Sequence, residues 1–120
     1  MTEYVVLLMG DAERWWTELT EEQRREGYAA HGHFSAELER RGHRITGGAE
    51  LHRASEARSI APNAATVTEG PWAETAEQVG GLYTVDTDDL DDLLECCKIL
   101  AATGDAVEVR RCVSDEERVS

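Results

Sequence analysis

The chain has 120 residues, of which 12 are Lys or Arg and 25 are Asp or Glu, so its formal net charge is -13. The length suits one domain, and 41% hydrophobic residues can build a core without disulfides or a structural metal. Because the acidic excess repels phosphate groups, we expect neither nucleic acid nor a membrane surface as a partner.

Targeting segments and common cofactor motifs are missing from the sequence. The longest apolar run, residues 4–9, is far shorter than a spanning helix, and the residues before it lack the pattern of a signal peptide. We therefore expect a cytoplasmic protein. The three cysteines form neither a disulfide framework nor a CxxC pair, and no glycine-rich phosphate loop occurs, so the sequence predicts no metal and no cofactor.

The first part of the chain predicts a strand, a long helix and a second strand. Residues 3–9 are rich in apolar and β-branched side chains, which is typical of a strand covered on both faces. Residues 20–23 have the pattern of a capping box and begin a helix that runs to about Arg41, where Gly42 ends it. Residues 44–51 predict the second strand.

The rest of the chain predicts further strands and a second helix. They are, in order, weak strands at 56–60 and 64–68, a turn at 69–72, a strand at 81–86, a helix from 86–88 to Gly104, and a strand at 106–113. The helix carries an apolar stripe at helical spacing, formed by Leu90, Leu93, Leu94, Cys97 and Leu100. Residues 114–120 are polar and charged, so we expect a domain at 1–113 and a disordered tail.

The order of these elements predicts the fold class. Without the segment 52–79, the order is strand, helix, strand, strand, helix, strand, which is typical of an α+β, ferredoxin-like antiparallel sheet with two helices on one face. Since the first strand is apolar on both sides, the other face of the sheet also needs a cover. We infer a homodimer, in which a second copy covers that face; the alternative is that the segment 52–79 folds over it.

His31 is the first candidate functional residue. On a helical wheel it lies in the middle of the buried stripe formed by Tyr28, Phe34 and Leu38. Gly27, one turn earlier on the same face, costs helix stability on the order of 1 kcal/mol, which predicts open space over the imidazole. A titratable group beside a gap is a site candidate, and the alternative is a hydrogen-bonded core histidine.

The other histidines and the cysteines predict no chemistry. His33 faces the opposite side of the helix from His31, so the two cannot bind one metal ion. His43 and His52 flank the second strand, and we expect both at the surface. Cys97 belongs to an apolar stripe and Cys96 to its margin, which favours packing over catalysis.

The loop at 68–75 is the most unusual stretch of the sequence. A Gly-Pro turn presents Trp72 with Glu69 and Glu74 beside it, which suits a small polar ligand or a subunit contact. The alternative is a capped turn with Trp72 packed into the core. The pair Trp15-Trp16 is interpreted as an interface feature or a lid. The acidic runs at 86–92 are interpreted as helix capping and a solvated face.

These residues resemble a known family, the YCII-related proteins, and specifically their DGPF-domain branch, which are small bacterial proteins of the dimeric α+β barrel superfamily. The branch is named for an Asp-Gly-Pro-Phe loop, and this chain has the similar residues 69–72, Glu-Gly-Pro-Trp. The resemblance is carried by residues 10–11, 34–42, 68–81, 83–94 and 107–110.

The resemblance implies the ferredoxin-like fold, the dimer and a site. The family's proposed active-site histidine on the first helix falls on His31, and its acidic partner is either Asp11 or Glu74. The candidate substrate-binding residues are Trp72, Glu69 and Tyr28.

Two functions are open from the sequence. In the first, His31 is a general acid or base that acts on a small organic substrate in a cleft, with proton abstraction next to a carbonyl as the reaction class that the superfamily implies. In the second, the chain is a non-catalytic ligand-binding or regulatory module, linked by the resemblance to sigma-factor-associated regulation.

Overall fold

The computed structural model describes residues 1–72 and 78–119. Across this part of the chain the elements are β1 (Thr2–Gly10), α1 (Ala12–Thr17), α2 (Glu21–Arg40), β2 (Arg44–Glu50), a 3-10 turn (Ala54–Glu56), β3 (Arg58–Ile60), β4 (Val67–Glu69), β5 (Gln78–Thr87), α3 (Leu90–Ala101), β6 (Ala106–Arg111) and α4 (Asp115–Val119).

The main sheet has four antiparallel strands in the order β2, β5, β1, β6. Helix α2 leads from β1 to β2, which are separated in the sheet by β5. Helix α3 leads from β5 to β6, which are separated by β1. The register of β1 against β5 shifts between Leu8 and Met9, so that one extra residue, Gly80, bulges from β5. The predicted α+β, ferredoxin-like sheet is confirmed. Strands β3 and β4 pair separately as a second, two-stranded sheet.

The two long helices pack on the same face of the main sheet. Phe34 and Leu38 of α2 and Leu93 and Leu100 of α3 are fully buried there with Val6, Val85 and other strand residues. Burying such a side chain stabilises the fold by about 1.5–3 kcal/mol. This shared core fixes both helices over the sheet.

Local sequence signals define the ends of α2. Thr20 Oγ1 accepts from the Gln23 backbone N–H at 3.1 Å, and Gln23 Oε1 accepts from the Thr20 N–H at 2.9 Å, which completes the predicted capping box. Gly42 follows the helix with a φ of +86°, a left-handed conformation that a glycine adopts without strain.

The stripe that α3 buries differs from the predicted one. Leu93, Cys96, Cys97 and Leu100 are buried, whereas Leu90 and Leu94 are exposed. Cys96, expected at the margin, is therefore part of the core. Both sets contain the spacing i, i+3, i+4 and i+7, so the spacing alone does not choose between them, and the packing of α3 decides that the face with Cys96 is buried.

Two short helices were not predicted. Asp11 caps α1, since its Oδ1 accepts from the Arg14 N–H at 3.0 Å. Residues 115–119 form α4, where we expected a disordered tail; the Glu117 N–H donates to Ser114 Oγ at 3.2 Å, and Glu117 Oε1 accepts from the Ser114 N–H at 3.1 Å. Arg111 pairs with the same carboxylate. This is a second capping box.

His43 was expected at the surface, and the structure corrects this. It is 6% exposed, and it lies immediately before β2, where it contacts Thr87 at the end of β5 and Asp92 in the first turn of α3. The prediction rested on the alternation of side chains along β2 alone. It could not show that the end of β5 and the first turn of α3 pack over His43. His52 is exposed, as expected. Among the described residues, no helix has the length and apolar character needed to cross a membrane.

Candidate functional site

A cavity of about 830 Å³ opens at one end of the main sheet. Its walls come from α1, the N-terminal half of α2, the end of β1 and the facing ends of β2 and β5, and the turn after α3 closes it. Its volume suits a small organic molecule. His31 lies in its wall.

His31 is tied to a tyrosine of the sheet. Its Nδ1 lies 2.6 Å from the hydroxyl of Tyr83 on β5, and the two ring centroids are 5.8 Å apart. The Tyr83 ring also packs against Phe34, one turn after His31 on α2, at 5.2 Å between centroids. The core therefore holds the tyrosine, and the tyrosine holds the imidazole at the edge of the cavity.

Burial keeps both members of this pair neutral. Desolvation lowers the pKa of His31 below its ordinary 6.5, against the opposing effect of the carboxylates of Asp105 and Glu50. Desolvation also raises the pKa of Tyr83 above 10. The pair thus shares its protons in two arrangements. Either Tyr83 donates to Nδ1 and Nε2 carries a proton, or Nδ1 donates to Tyr83 and Nε2 is a free base.

A second tyrosine lies at the rim of the cavity. The Tyr28 hydroxyl donates to Glu50 Oε1 at 3.1 Å, which links α2 to the end of β2. Burial, followed by the hydrogen bond to Glu50, raises the pKa of Tyr28. Glu50 is thereby fixed near His31. Its negative charge contributes to the raised pKa of both tyrosines, and it partly opposes the lowering of the imidazole pKa by burial.

Trp15 fills the space over Gly27, while His31 itself lines the open cavity. A Cβ at Gly27 would lie 2.6 Å from Cη2 and 2.9 Å from Cζ3 of Trp15, so the glycine allows the indole to lie directly on the helix. Trp15 also meets Tyr28 edge to face, with 5.4 Å between centroids. Trp15 therefore forms part of the cavity wall.

Trp16 anchors the other side of α1. Its ring stacks on the imidazole of His52 at 5.1 Å between centroids, and the Arg24 guanidinium lies 5.5 Å from the same ring. Glu13 Oε1 accepts from the Ser55 N–H at 3.3 Å. These contacts within one chain favour the lid interpretation of the tryptophan pair over the interface interpretation.

The predicted site residues are distributed unequally. His31, Tyr28 and Asp11 all line the cavity, and Asp11 does so while it caps α1. Glu69, at the end of β4, and Trp72, which is 68% exposed, lie outside the cavity lining. Glu74 falls outside the described residues.

The sequence reasoning missed Tyr83, Glu50 and Asp105. Tyr83 follows the period-two pattern of β5 with Val85, which places both on the helix-covered face, and this signal was available. Asp105 lies in the turn after α3, and a Cβ at Gly10 would come within 2.5 Å of its Oδ1. Such contacts depend on which strand ends lie side by side.

The cavity is acidic. Of the residues that the structure describes, Asp11, Glu26, Glu50 and Asp105 line it, against one guanidinium, that of Arg14. Arg14 itself pairs with Glu18 at 3.4 Å. The aromatic faces of Trp15, Trp16 and the two tyrosines complete the walls. A neutral or cationic organic molecule suits this lining better than an anion does.

Comparison with protein-family models gives a match over most of the chain. The family model of the YCII-related domain matches residues 4–114, which is nearly the whole chain. No curated protein matches the sequence.

Proposed function

The chain belongs to the YCII-related family, and we propose that it is an enzyme that uses His31 for general acid–base catalysis on a small organic substrate. The observation that supports this most is the half-buried imidazole, hydrogen-bonded to Tyr83 at 2.6 Å and lying in the wall of an 830 Å³ cavity. A histidine kept neutral by its surroundings is a base at neutral pH.

In this proposal His31 and Tyr83 divide the work. When Nδ1 donates to the Tyr83 oxygen, Nε2 is the base that takes a proton from the substrate. The Tyr83 O–H is then the acid that donates to the oxygen on which negative charge develops. Proton abstraction next to a carbonyl needs these two groups and no cofactor.

The substrate is proposed to be a neutral or cationic carbonyl compound. The carboxylates of Asp11, Glu26 and Glu50 would repel an anionic substrate, and the aromatic walls would accept an apolar or ammonium-bearing part. Tyr28 and Trp15 supply the surfaces that orient it.

A hydrogen-exchange assay tests this function. A panel of neutral, cationic and anionic carbonyl compounds is incubated with the protein in D₂O, and loss of the α-proton signals is followed by NMR. We expect exchange with a neutral or cationic member, loss of about 10²–10⁴-fold in rate in His31→Gln, and no loss in His33→Gln, a matched change on the exposed face of α2. Binding without exchange in any member would favour the non-catalytic ligand-binding module instead.

We also propose that the protein is a homodimer formed through the uncovered face of the sheet. Val5 and Leu7 point to the face opposite the buried Val6 and Leu8, and Leu7 pairs with Leu82 across the strands. These apolar side chains lie beside the ion pair of Arg110 and Glu108 on β6, in the pattern of an apolar centre and a charged rim.

A further inference from the structure

A second group of chemically active side chains lies at the corner of the fold that joins the start of β2, the end of β5 and the first turns of α3. There, a ring nitrogen of His43, a carboxylate oxygen of Asp92 and Sγ of Cys96 all lie within 4.8 Å of one another. None of the three residues lines the cavity that contains His31. Asp92 and Cys96 are four residues apart on α3, the spacing that puts two ligands on one helix face.

His43 is already oriented as a ligand. Its Nδ1 lies 2.6 Å from Thr87 Oγ1, and its Nε2 lies 2.7 Å from Asp92 Oδ2. Thr87 Oγ1 accepts from the Asp89 N–H at 3.0 Å, and its second lone pair can accept from a protonated Nδ1. In the other tautomer Nε2–H donates to Asp92 Oδ2; when the proton is on Nδ1 instead, the lone pair of Nε2 faces the carboxylate and can bind a cation. Holding the second ring nitrogen in this way is typical of a metal-binding histidine.

Asp92 is held as well. Its second oxygen, Oδ1, accepts from the Arg41 guanidinium at 2.8 Å, while Oδ2 faces His43. The side chain of Asp92 is 29% exposed, whereas that of His43 is 2% exposed. The carboxylate is therefore the group of the three nearest to solvent, while the imidazole and the thiol are buried.

We propose that His43, Asp92 and Cys96 bind one Zn²⁺ ion and leave its fourth position to water. A nitrogen, a sulfur and an oxygen ligand together fit the borderline-soft zinc ion better than they fit magnesium or calcium, which prefer oxygen ligands alone. Ligand atoms of a tetrahedral zinc ion lie about 3.3–3.6 Å apart, so His43 Nε2 and Asp92 Oδ2, which are hydrogen-bonded at 2.7 Å, move apart by roughly 0.6 Å when zinc takes the place of the proton between them.

Binding exchanges protons for the ion. The Cys96 thiol loses its proton to solvent as its sulfur binds zinc, and the His43 proton moves from Nε2 to Nδ1, where it is donated to Thr87 Oγ1. The two anionic ligands then balance the charge of the ion. The site would join β2 to α3, and zinc would stabilise the folded chain because the unfolded chain does not hold the three ligands together.

Cobalt substitution tests the site, because a thiolate bound to Co²⁺ gives a charge-transfer absorption band that carboxylate sites lack. After removal of metals with a chelator, we expect the full-length protein to bind one equivalent of Co²⁺ with this band, and Zn²⁺ to displace it. Cys96→Ser should abolish the band, while Cys97→Ser, the matched change at the next buried cysteine of the same helix, should keep it.

The affinity for Zn²⁺ itself gives a second measurement. Asp92→Asn should weaken zinc binding, measured by calorimetry, by more than the roughly 10- to 100-fold that loss of an outer partner causes. Zn²⁺ should raise the unfolding midpoint of the wild type and of Cys97→Ser, but not that of Cys96→Ser. Circular dichroism establishes that each variant is folded. If Asp92→Asn does not fold, the comparison of Cys96→Ser with Cys97→Ser tests the proposal without it. Zinc binding without the cobalt band, or a band that persists in Cys96→Ser, would overturn the proposal.

Discussion

His31 and Tyr83 come from elements 52 positions apart in the chain, and their contact determines the chemistry available in the cavity. Without Tyr83, the imidazole would be a half-buried histidine with no partner to fix its ring or its tautomer. The phenol gives it a partner that can either donate or accept, so one proton can be held at Nδ1 or at Nε2. This arrangement leads to two predictions at the level of single residues.

The first prediction concerns the protonation of His31. Because burial lowers its folded-state pKa, NMR titration of the imidazole should give a midpoint below the ordinary 6.5. Between the folded-state value and 6.5 the unfolded chain binds the extra proton and the folded chain does not, so the stability rises with pH in that window and falls as the pH drops below 6.5. The His31→Gln variant identifies the His31 resonance in the titration. A midpoint at or above 6.5 would contradict the burial argument.

The second prediction concerns the Tyr83 hydroxyl. Tyr83→Phe keeps the ring that packs on Phe34 and removes the partner of His31 Nδ1, so we expect the free energy of unfolding in urea to fall by about 1–3 kcal/mol. Tyr4→Phe is the control, because Tyr4 packs against the same core and lies outside the cavity lining. Equal effects of the two changes would mean that the hydrogen bond to His31 adds nothing to stability.

At the level of the elements, α1 is held on the rest of the chain by its two tryptophans. Trp15 lies on α2 at Gly27, and Trp16 is stacked against His52 and faces Arg24. A helix of six residues has little stability of its own, so these contacts determine whether it covers the cavity.

A pair of glycine substitutions in α2 tests this anchoring. Gly32→Ala should stabilise the protein by about 0.5–1 kcal/mol, because an exposed helical glycine gains propensity and nothing lies within 4 Å of the new Cβ. Gly27→Ala should give no such stabilisation, because the new Cβ would displace the rigid Trp15 ring. The displacement should also shift the tryptophan fluorescence.

A double substitution completes the test. If the Trp15 ring is the obstacle, Gly27→Ala in a Trp15→Ala background should recover the stabilisation seen at Gly32, measured by urea unfolding of all the variants. Stabilisation by Gly27→Ala alone, with unchanged fluorescence, would show that Trp15 does not lie on the glycine.

At the level of the whole molecule, the fold covers one face of the sheet with α2 and α3, and we propose that a second copy covers the other. Val5, Leu7 and Leu82 form the apolar centre of that face. Each chain carries a net charge of -13, so two copies repel one another and salt should strengthen their association.

Sedimentation or light scattering measures the proposed dimer. The wild type should have twice the chain mass of 13.3 kDa, with dissociation favoured at low salt, and Leu7→Arg should give the monomer mass. Ala36→Arg introduces the same charge on the exposed side of α2 and should leave the dimer intact. A wild type of monomer mass at high salt and high concentration would rule the dimer out.

The sequence by itself determined the parts of this protein that depend on local patterns. The capping box at Thr20 and Gln23 and the apolar stretch of β1 predicted their elements, and the order of the elements predicted the sheet. Capping bonds and hydrophobic periodicity arise between neighbours in the chain, so a single sequence contains them in full. His31 was found in this way, from its place on one face of one helix.

Tertiary structure alone decided which distant residues meet. Tyr83 at His31, Trp15 over Gly27, and Asp92 at His43 each join elements whose mutual placement depends on strand order, on the bulge at Gly80 and on the packing of α2 and α3 over the sheet. Periodicity gives the face on which a side chain lies but not the residue opposite it. That choice is made only when the whole core packs, and for this reason the sequence did not predict Tyr83 as the hydrogen-bond partner of His31.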